Sequence, residues 1–365
     1  MNATARFGLA AIAASAAIVA ASLGGSVASA SAEAPKASPR MIPHFEVDPS
    51  WPKLPSKWVW GQVSSVSIDK DGNAWILQRP STVRNDQKGM AAPPVLEFDE
   101  AGNFIQGWGG PGQGYDWPET EHGIYADPKG FIWLGGNGKT DHALVKFTRD
   151  GKFVMQIGHK GQSKGNKDTQ NVNQAADTFV YAPTNELFVA DGYGNHRVIV
   201  FDADTGAFKR MWGAFSNKPE DDDHCEILRK TDFTSPGPPQ LSVVHSLRVA
   251  NDGMVYVADR ENRRVQMFSN DGKFIKQHLK GDTLFARNVA LSADPEQQFL
   301  YVGDGKEIAI LDRKTLDQVG AVKSPGLIGG GHLITTDAKG NIYVAATGQG
   351  LQKLVFQGVG PTAAK

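Results

Sequence analysis

The chain has very little cysteine: Cys225 is the only one among its 365 residues. One thiol cannot form an intramolecular disulfide, so a small scaffold held together by disulfides is excluded. The residues around it read Asp-Asp-Asp-His-Cys-Glu-Ile, and this acidic setting disfavours the reactive thiolate. We therefore interpret Cys225 as a small packed side chain rather than a catalytic nucleophile.

The chain also lacks an excess of either charge. It has 38 Lys and Arg against 39 Asp and Glu, a formal net charge of −1 and a pI of about 6.8. A strongly basic chain would indicate nucleic acid or an anionic membrane surface as a partner, and neither is indicated here. A hydrophobic content of 40%, with 41 glycines and 20 prolines, favours a turn-rich β protein over a helical one.

Long apolar runs are also scarce, and the one that stands out lies near the N-terminus. Residues 7–23 are apolar and rich in alanine, Arg6 precedes them, and residues 28–30 form an A-x-A cleavage pattern. We predict a signal peptide over residues 1–30, a linker over 31–43 and a secreted or periplasmic protein with no membrane contact after cleavage. A transmembrane anchor is the alternative, but the cleavage pattern and the Ala/Pro/Ser-rich linker disfavour it. No second run approaches the length of a membrane span.

From about Val66 the sequence repeats a unit of short strands. Each copy has alternating apolar residues, a turn of the type D-x-x-G and a later segment of the type R/K-apolar-x-x-F, although the fifth copy is degenerate. Six such copies, spaced by roughly 40–60 residues, predict an all-β, six-bladed β-propeller over residues 44–359, followed by a tail at 360–365. The sixth copy lacks an outer strand, and we expect residues 44–51 to supply it and close the ring.

Three histidines occupy the same place in alternate copies. His122, His245 and His332 each open the first strand of copies two, four and six. In a six-bladed ring these positions stand roughly 120° apart around the central channel. Three neutral imidazoles with an open fourth position are the ligand set of a catalytic zinc site. The alternative is that they are ordinary strand-start histidines that form hydrogen bonds to neighbouring blades.

Several longer motifs resemble a known family. The units of the type R-V-x-x-F resemble NHL repeats, which serve many binding roles. More specific similarity to the propeller of peptidyl-α-hydroxyglycine α-amidating lyase comes from the stretches HSLRV…VYVADRENRRVQMF, VADGYGNHRVIVFDADTGAF and GQVSSVSIDKDGNAWILQR. The resemblance extends roughly from Trp60 to Phe356. It implies an exported propeller enzyme in which the three histidines bind zinc.

The same resemblance implies three catalytic residues. Tyr193 matches the catalytic tyrosine of the family, and Arg79 and Arg260 match its two active-site arginines. Each has an ordinary structural alternative: Tyr193 could cap its loop, Arg79 could be a solvated loop residue, and Arg260 could pair with Glu261 or Asp259.

The resemblance further implies a structural calcium ion. The family binds it through two backbone carbonyls, which match Val66 and Ile124, and through one aspartate. This chain has Leu333 at the position of the aspartate. Leucine offers no side-chain oxygen, so calcium binding through this set is doubtful. The family's propeller disulfides are absent as well.

These residue types fit a proton-transfer reaction. Zinc can polarise a substrate oxygen, which makes deprotonation feasible near neutral pH. Two guanidinium groups and zinc would favour the phenolate form of Tyr193, which could then act as a general base. Arginines also bind carboxylates through paired hydrogen bonds. Together, these groups would deprotonate a hemiaminal-like hydroxyl and expel an amide, leaving a glyoxylate-type product.

Three functions remain open at this point. We favour a zinc-dependent lyase, acting as a monomer on an α-hydroxyglycine-like or related small or peptide-derived substrate. The second is a metal-dependent hydrolase of esters or lactones. The third is a non-catalytic NHL propeller that binds a peptide, a glycan or a protein. The phased histidines and Tyr193 argue against the third, since a binding module needs no open metal site.

Overall fold

The computed structural model describes residues 40–221, 236–279 and 286–362. The predicted signal peptide and Cys225 lie outside the described residues. Within the described ranges, no helix is long and apolar enough to cross a membrane.

The described residues form six four-stranded antiparallel sheets, which are the blades of a propeller. Blade 1 contains β2 (Gln62–Ile68), β3 (Ala74–Arg79), β4 (Val95–Phe98) and β5 (Phe104–Trp108). Blade 2 contains β6 (Glu121–Ala126), β7 (Phe131–Gly136), β8 (Leu144–Thr148) and β9 (Phe153–Ile157). Blade 3 contains β10 (Asp177–Tyr181), β11 (Glu186–Asp191), β12 (Arg197–Asp202) and β13 (Phe208–Trp212).

The second half repeats this arrangement. Blade 4 contains β14 (Val244–Val249), β15 (Val255–Asp259), β16 (Arg264–Phe268) and β17 (Phe274–Leu279). Blade 5 contains β18 (Asn288–Leu291), β19 (Phe299–Gly303), β20 (Ile308–Asp312) and β21 (Gln318–Ala321). Blade 6 contains β22 (Leu333–Thr336), β23 (Ile342–Ala346), β24 (Gly350–Pro361) and β1 (Met41–Asp48). The described residues also include short 3₁₀ helices at Pro80–Thr82, Asn85–Met90 and Ala214–Ser216.

Blade 6 closes the ring with a strand from the other end of the chain. β1 pairs antiparallel with β24, from Met41 opposite Pro361 to Asp48 opposite Lys353. The prediction that the segment around residues 44–51 completes the last blade is confirmed, although the strand itself begins earlier, at Met41. Pairing of β1 with β24 joins strands from the two ends of the described residues in one sheet and so closes the ring of blades.

The aspartates of the repeated turns connect the first two strands of a blade. In blade 1 the Oδ1 of Asp69 accepts hydrogen bonds from the backbone N–H groups of Asp71 and Asn73, both at 2.9 Å. Gly72 supplies the positive φ of 86° that the turn requires. The Oδ2 of Asp69 accepts from the indole N–H of Trp75 at 3.0 Å, so the turn also orients the first aromatic residue of β3. The D-x-x-G motif therefore specifies a tight hairpin rather than a general loop.

The apolar core lies between neighbouring blades. The described residues contain six clusters of buried apolar side chains, and each cluster draws on two adjacent blades. Trp75 of blade 1, for example, shares one buried cluster with Ile124 and Ile132 of blade 2. Because burial of one such side chain contributes roughly 1.5–3 kcal/mol, these interfaces hold the blades together. The polar residues at the start of the inner strands lie outside these apolar clusters and can form a site near the axis.

Candidate metal centre

The three phased histidines converge, as their spacing predicted. The ring centroids of His122, His245 and His332 lie 4.5 to 5.0 Å apart, and one ligand nitrogen from each lies within 4.8 Å of the others. His122 and His245 are fully buried, whereas His332 has an exposed edge. Across the described ranges, this is the one group of at least three His, Cys, Asp or Glu side chains close enough to share a metal ion.

A local irregularity in the inner strands aims two of these side chains. The pairing of β6 with β7 shifts register around His122, and that of β14 with β15 shifts around His245. Such a β-bulge leaves one residue unpaired and redirects its side chain. His332 directly precedes β22, and its backbone N–H donates to the carbonyl of Ala345 at 2.6 Å.

Each histidine is anchored by a carbonyl of the next blade around the ring. The acceptors are the carbonyl oxygens of Ala176 for His122 (2.7 Å), Arg287 for His245 (2.6 Å) and Ser64 for His332 (2.7 Å). Since a carbonyl only accepts, each Nδ1 carries the proton, and the lone pair of each neutral ring lies on Nε2. Metal-binding histidines are commonly oriented in this way.

The three carbonyls come from equivalent positions in the blades that lack a histidine. Ala176 and Arg287 each donate their backbone N–H to the second strand of their own blade, as His332 does. Ser64 lies at the same bulge in β2 that holds His122 in β6. The ring therefore alternates between the histidines and the residues that orient them. The hydrogen bonds to neighbouring blades that the alternative interpretation predicted are present, and they leave each Nε2 free of the anchoring carbonyls.

The histidine nitrogens fit a metal ion. The Nε2 of His245 is buried and has no hydrogen-bond partner among the described residues, and a buried polar atom without a partner calls for an explanation. Burial, followed by the neighbouring imidazoles and arginines, lowers the pKa of His122 and of His245 well below the ordinary value. Burial likewise lowers the pKa of His332 to about 4. All three rings are therefore neutral near pH 7, which is the form that binds metals.

Tyr193 lies directly beside the histidines. It comes from the loop between β11 and β12, and its hydroxyl lies 3.0 Å from the Nε2 of His122. Because that nitrogen carries the lone pair, the hydroxyl donates to it and in turn accepts from Nη1 of Arg260 at 2.8 Å. The guanidinium of Arg260 also lies over the tyrosine ring, 5.0 Å from its centroid. Tyr193 is thus directed at the site rather than capping its own loop.

Arg260 contacts Tyr193 and also makes one of its two predicted structural contacts. It pairs with Glu261 at 2.9 Å while it donates to Tyr193. Asp259, the other candidate partner, pairs instead with Arg264, and both side chains of that pair are fully buried. Glu261 therefore orients the guanidinium of Arg260 toward Tyr193.

Arg79 is also held in place rather than free in a loop. Its Nε donates to the carbonyl of Glu121 at 2.7 Å, its Nη1 to Gln62 at 3.1 Å and its Nη2 to Asn137 at 3.3 Å. Burial lowers the pKa of Arg79, yet an arginine keeps its charge in proteins. None of its hydrogen bonds in this set goes to a carboxylate.

These groups open onto one pocket of about 350 Å³. Its lining includes Arg79, Tyr193, Arg260 and His332. Sequence reasoning missed three other members, namely Asn137, Arg287 and Thr347, and named Glu261 only as a pairing partner of Arg260. The signal for Arg287 was its place in the degenerate fifth copy, where it stands at the position that the histidines occupy in alternate copies.

The residues implied for calcium lie on three inner strands. Val66 pairs with Ile76 in blade 1, and Ile124 pairs with Leu134 in blade 2. Leu333 is 1% exposed at the start of β22 and presents an apolar side chain. That this set does not bind calcium well, because Leu333 offers no oxygen, stays a prediction.

Comparisons with known proteins agree with this architecture. No family model matches the chain. NHL repeat-containing protein 3 of Homo sapiens is 26% identical over 83% of this chain and 82% of its own length. Peptidylglycine alpha-amidating monooxygenase of Rattus norvegicus is 30% identical over 72% of this chain, but the match spans only 26% of that protein. A probable peptidyl-alpha-hydroxyglycine alpha-amidating lyase of Caenorhabditis elegans is 28% identical over 59% of this chain and 57% of its own length.

Among solved structures, the WD40 β-propeller domain of Doa1 has a TM-score of 0.49 and 11% identity, covering 87% of this chain and 97% of that domain. The fold assignment rests on the sheet order described above: the protein is an all-β, six-bladed β-propeller with NHL-type repeats. Within that class the chain resembles the amidating lyases, and the resemblance indicated by the sequence motifs is confirmed.

Proposed function

We propose that the protein is an exported, metal-dependent lyase that cleaves an α-hydroxyglycine-like substrate, working as a monomer. The observation that carries this proposal is the position of Tyr193. Its oxygen accepts a hydrogen bond from Arg260 and lies 3.0 Å from a histidine nitrogen of the metal-binding cluster. A binding module has no need for a tyrosine held between a guanidinium group and three convergent imidazoles.

The three histidines would hold the ion, with zinc the metal that best suits three neutral imidazoles. When bound, such an ion polarises a substrate oxygen and favours loss of its proton. Binding of an ion is supported by the convergent histidines and by the buried Nε2 of His245, which has no partner among the described residues.

The side chains around the pocket account for the rest of the reaction. Arg79, which has no carboxylate partner among its hydrogen bonds given above, would bind the substrate carboxylate. Tyr193 would be the base that takes the proton of the substrate hydroxyl. The hydroxyl oxygen then forms the carbonyl of glyoxylate, the C–N bond breaks, and its electron pair goes to nitrogen. Return of the proton from Tyr193 to that nitrogen completes a neutral amide.

Metal content is the first test. The purified protein should carry about one zinc-like ion, and His245→Ala should lower both the occupancy and the release of glyoxylate from an N-acyl-α-hydroxyglycine. Metal analysis together with a colorimetric glyoxylate assay measures both. His44→Ala is the matched control, since His44 is exposed and lies outside the cluster. Reconstituted protein that binds no metal would exclude the enzymatic proposal.

A panel of lactones and aryl esters distinguishes the lyase from a hydrolase. The lyase should release glyoxylate and leave the esters intact. Metal-dependent ester cleavage without glyoxylate release would favour the hydrolase, because an ion near the axis of a propeller also suits activation of water.

A further inference from the structure

A buried arginine joins the inner strands of three blades. Arg248, on β14 of blade 4, is 9% exposed. Its Nη1 donates to the Oδ2 of Asp177 on β10 of blade 3 at 2.6 Å and to the carbonyl of Leu247 at 2.6 Å. Its Nη2 donates to the carbonyl of Ile334 on β22 of blade 6 at 3.2 Å. One guanidinium group therefore connects three strands that are separate in sequence.

The carboxylate partner stands next to a histidine anchor. Asp177 directly follows Ala176, whose carbonyl accepts the Nδ1 proton of His122. The Oδ2 of Asp177 also accepts from the hydroxyl of Ser246 at 2.8 Å. Displacement of Asp177 would therefore move the carbonyl that orients His122.

Other parts of this network lie beside His245 and His332. Ser246 directly follows His245, and Arg248 lies on the same short strand. Ile334 lies on β22, which His332 directly precedes. The network around Arg248 thus includes the strand of His245, the strand that follows His332 and the residue next to the carbonyl that anchors His122.

We infer that Arg248 is a positioning residue for the metal centre. Its guanidinium connects β14, which carries His245, to β22, which His332 directly precedes, and to Asp177, which follows the carbonyl that orients His122. Through these contacts it sets the spacing of the imidazoles. A planar guanidinium suits this role, because its N–H groups can donate to a carboxylate and to carbonyls in different directions at the same time. Lysine is a point charge on a flexible stem and cannot reproduce this arrangement of donors. The inference rests on the proposed function only in requiring that the histidines bind a metal.

The test compares metal affinity in two kinds of variant. Arg248→Lys keeps the charge, while the double variant Arg248→Gln with Asp177→Asn removes both charges and leaves no unpaired ion buried. Affinity for zinc is measured by competition with a chelator, and the visible spectrum of bound cobalt(II) reports ligand geometry. Both measurements are made on folded protein, well below the unfolding temperature and without any substrate.

Both variants should bind zinc about 10–100-fold more weakly, as is typical when groups that orient metal ligands are lost, and the cobalt spectrum should change. A role in stability alone would lower the melting temperature of the metal-free protein but leave affinity and spectrum as in the wild type. That second pattern would overturn the inference.

Arg313 offers a matched control. It is another nearly buried arginine, with a side chain 4% exposed, and it joins blades 4 and 5 through Asp252 at 2.9 Å. Asp252 lies in the turn that follows β14, at the end of the strand away from His245. Arg313→Lys and the double variant Arg313→Gln with Asp252→Asn should retain wild-type affinity.

Equal loss of affinity in the two sets of variants would mean general loosening of the blades and would also overturn the inference. Wild-type protein that binds no metal would refute the proposed function and this inference together. Wild-type binding with unchanged Arg248 variants would refute the inference alone.

Discussion

Replacement of Tyr193 by phenylalanine separates the proposed base from the metal ligands. The change removes one oxygen and keeps the ring, which packs 5.0 Å from the ring of His122 and 5.7 Å from that of His245 between centroids. The guanidinium of Arg260 still has the ring face beside it. Folding and metal occupancy should therefore survive the substitution.

The expected size of the effect follows from the two contacts of the hydroxyl. The Tyr193→Phe protein loses the oxygen that accepts from Arg260 at 2.8 Å and the hydroxyl that donates to His122 at 3.0 Å. Each ordinary hydrogen bond contributes about 0.5–1.5 kcal/mol to stability, and a metal at the histidines already competes for one of them. The loss of stability should therefore be small. The turnover number, in contrast, should fall by roughly 10²–10⁴-fold, which is the usual contribution of a positioned acid or base.

The assay is steady-state release of glyoxylate by the two proteins at equal metal content. The KM for the substrate should change little, because the lost interaction acts mainly in the transition state. Zinc content and melting temperature serve as controls for the metal site and the fold. If Tyr193→Phe retains full turnover on a working substrate, the lyase mechanism through this residue is wrong, and direct activation of water in a hydrolase becomes the better explanation.

Two further predictions concern substrate binding and calcium. Arg79→Ala should raise the KM of a carboxylate-bearing substrate by roughly 10–100-fold, since hydrogen bonds to charged groups contribute about 1.5–3 kcal/mol. The exposed Arg84→Ala variant is the control, and an equal effect of both changes in kinetic assays would contradict the role of Arg79. Calcium should raise the melting temperature of the wild-type protein little compared with a Leu333→Asp variant, because only the variant places a carboxylate there and ligands stabilise the state that binds them. A large calcium-dependent rise in the wild type, measured by thermal unfolding, would show that the ligand correspondence is wrong.

The blades and the phase of the histidines could be predicted from sequence patterns. Alternating apolar residues and turn aspartates such as Asp69 are local signals, because the hairpin and its aromatic contact lie within a few residues. Because the pattern repeats around a closed ring, equivalent positions of the blades must face one axis. For this reason His122, His245 and His332 could be assigned to one site before any contact was known.

The hydrogen-bond partners that hold these residues depend on the folded ring and could not be predicted. The carbonyl of Ala176 that orients His122 lies 54 positions away in the chain, and the carbonyl of Ser64 that orients His332 lies 268 positions away. No periodic pattern specifies such partners, because a backbone carbonyl is present at every position whatever the side chain.

The same limit applies to the arginines. Arg260 and Arg264 both lie near Asp259 in sequence. In the fold, Asp259 forms an ion pair with Arg264, whereas Arg260 donates a hydrogen bond to Tyr193. In the sequence, nothing distinguishes Arg248 from other charged residues on strands. In the fold it is buried and donates hydrogen bonds to residues of blades 3 and 6. Sequence periodicity states which residues share a face, whereas the distances between blades, which depend on packing across the whole ring, decide which of them touch.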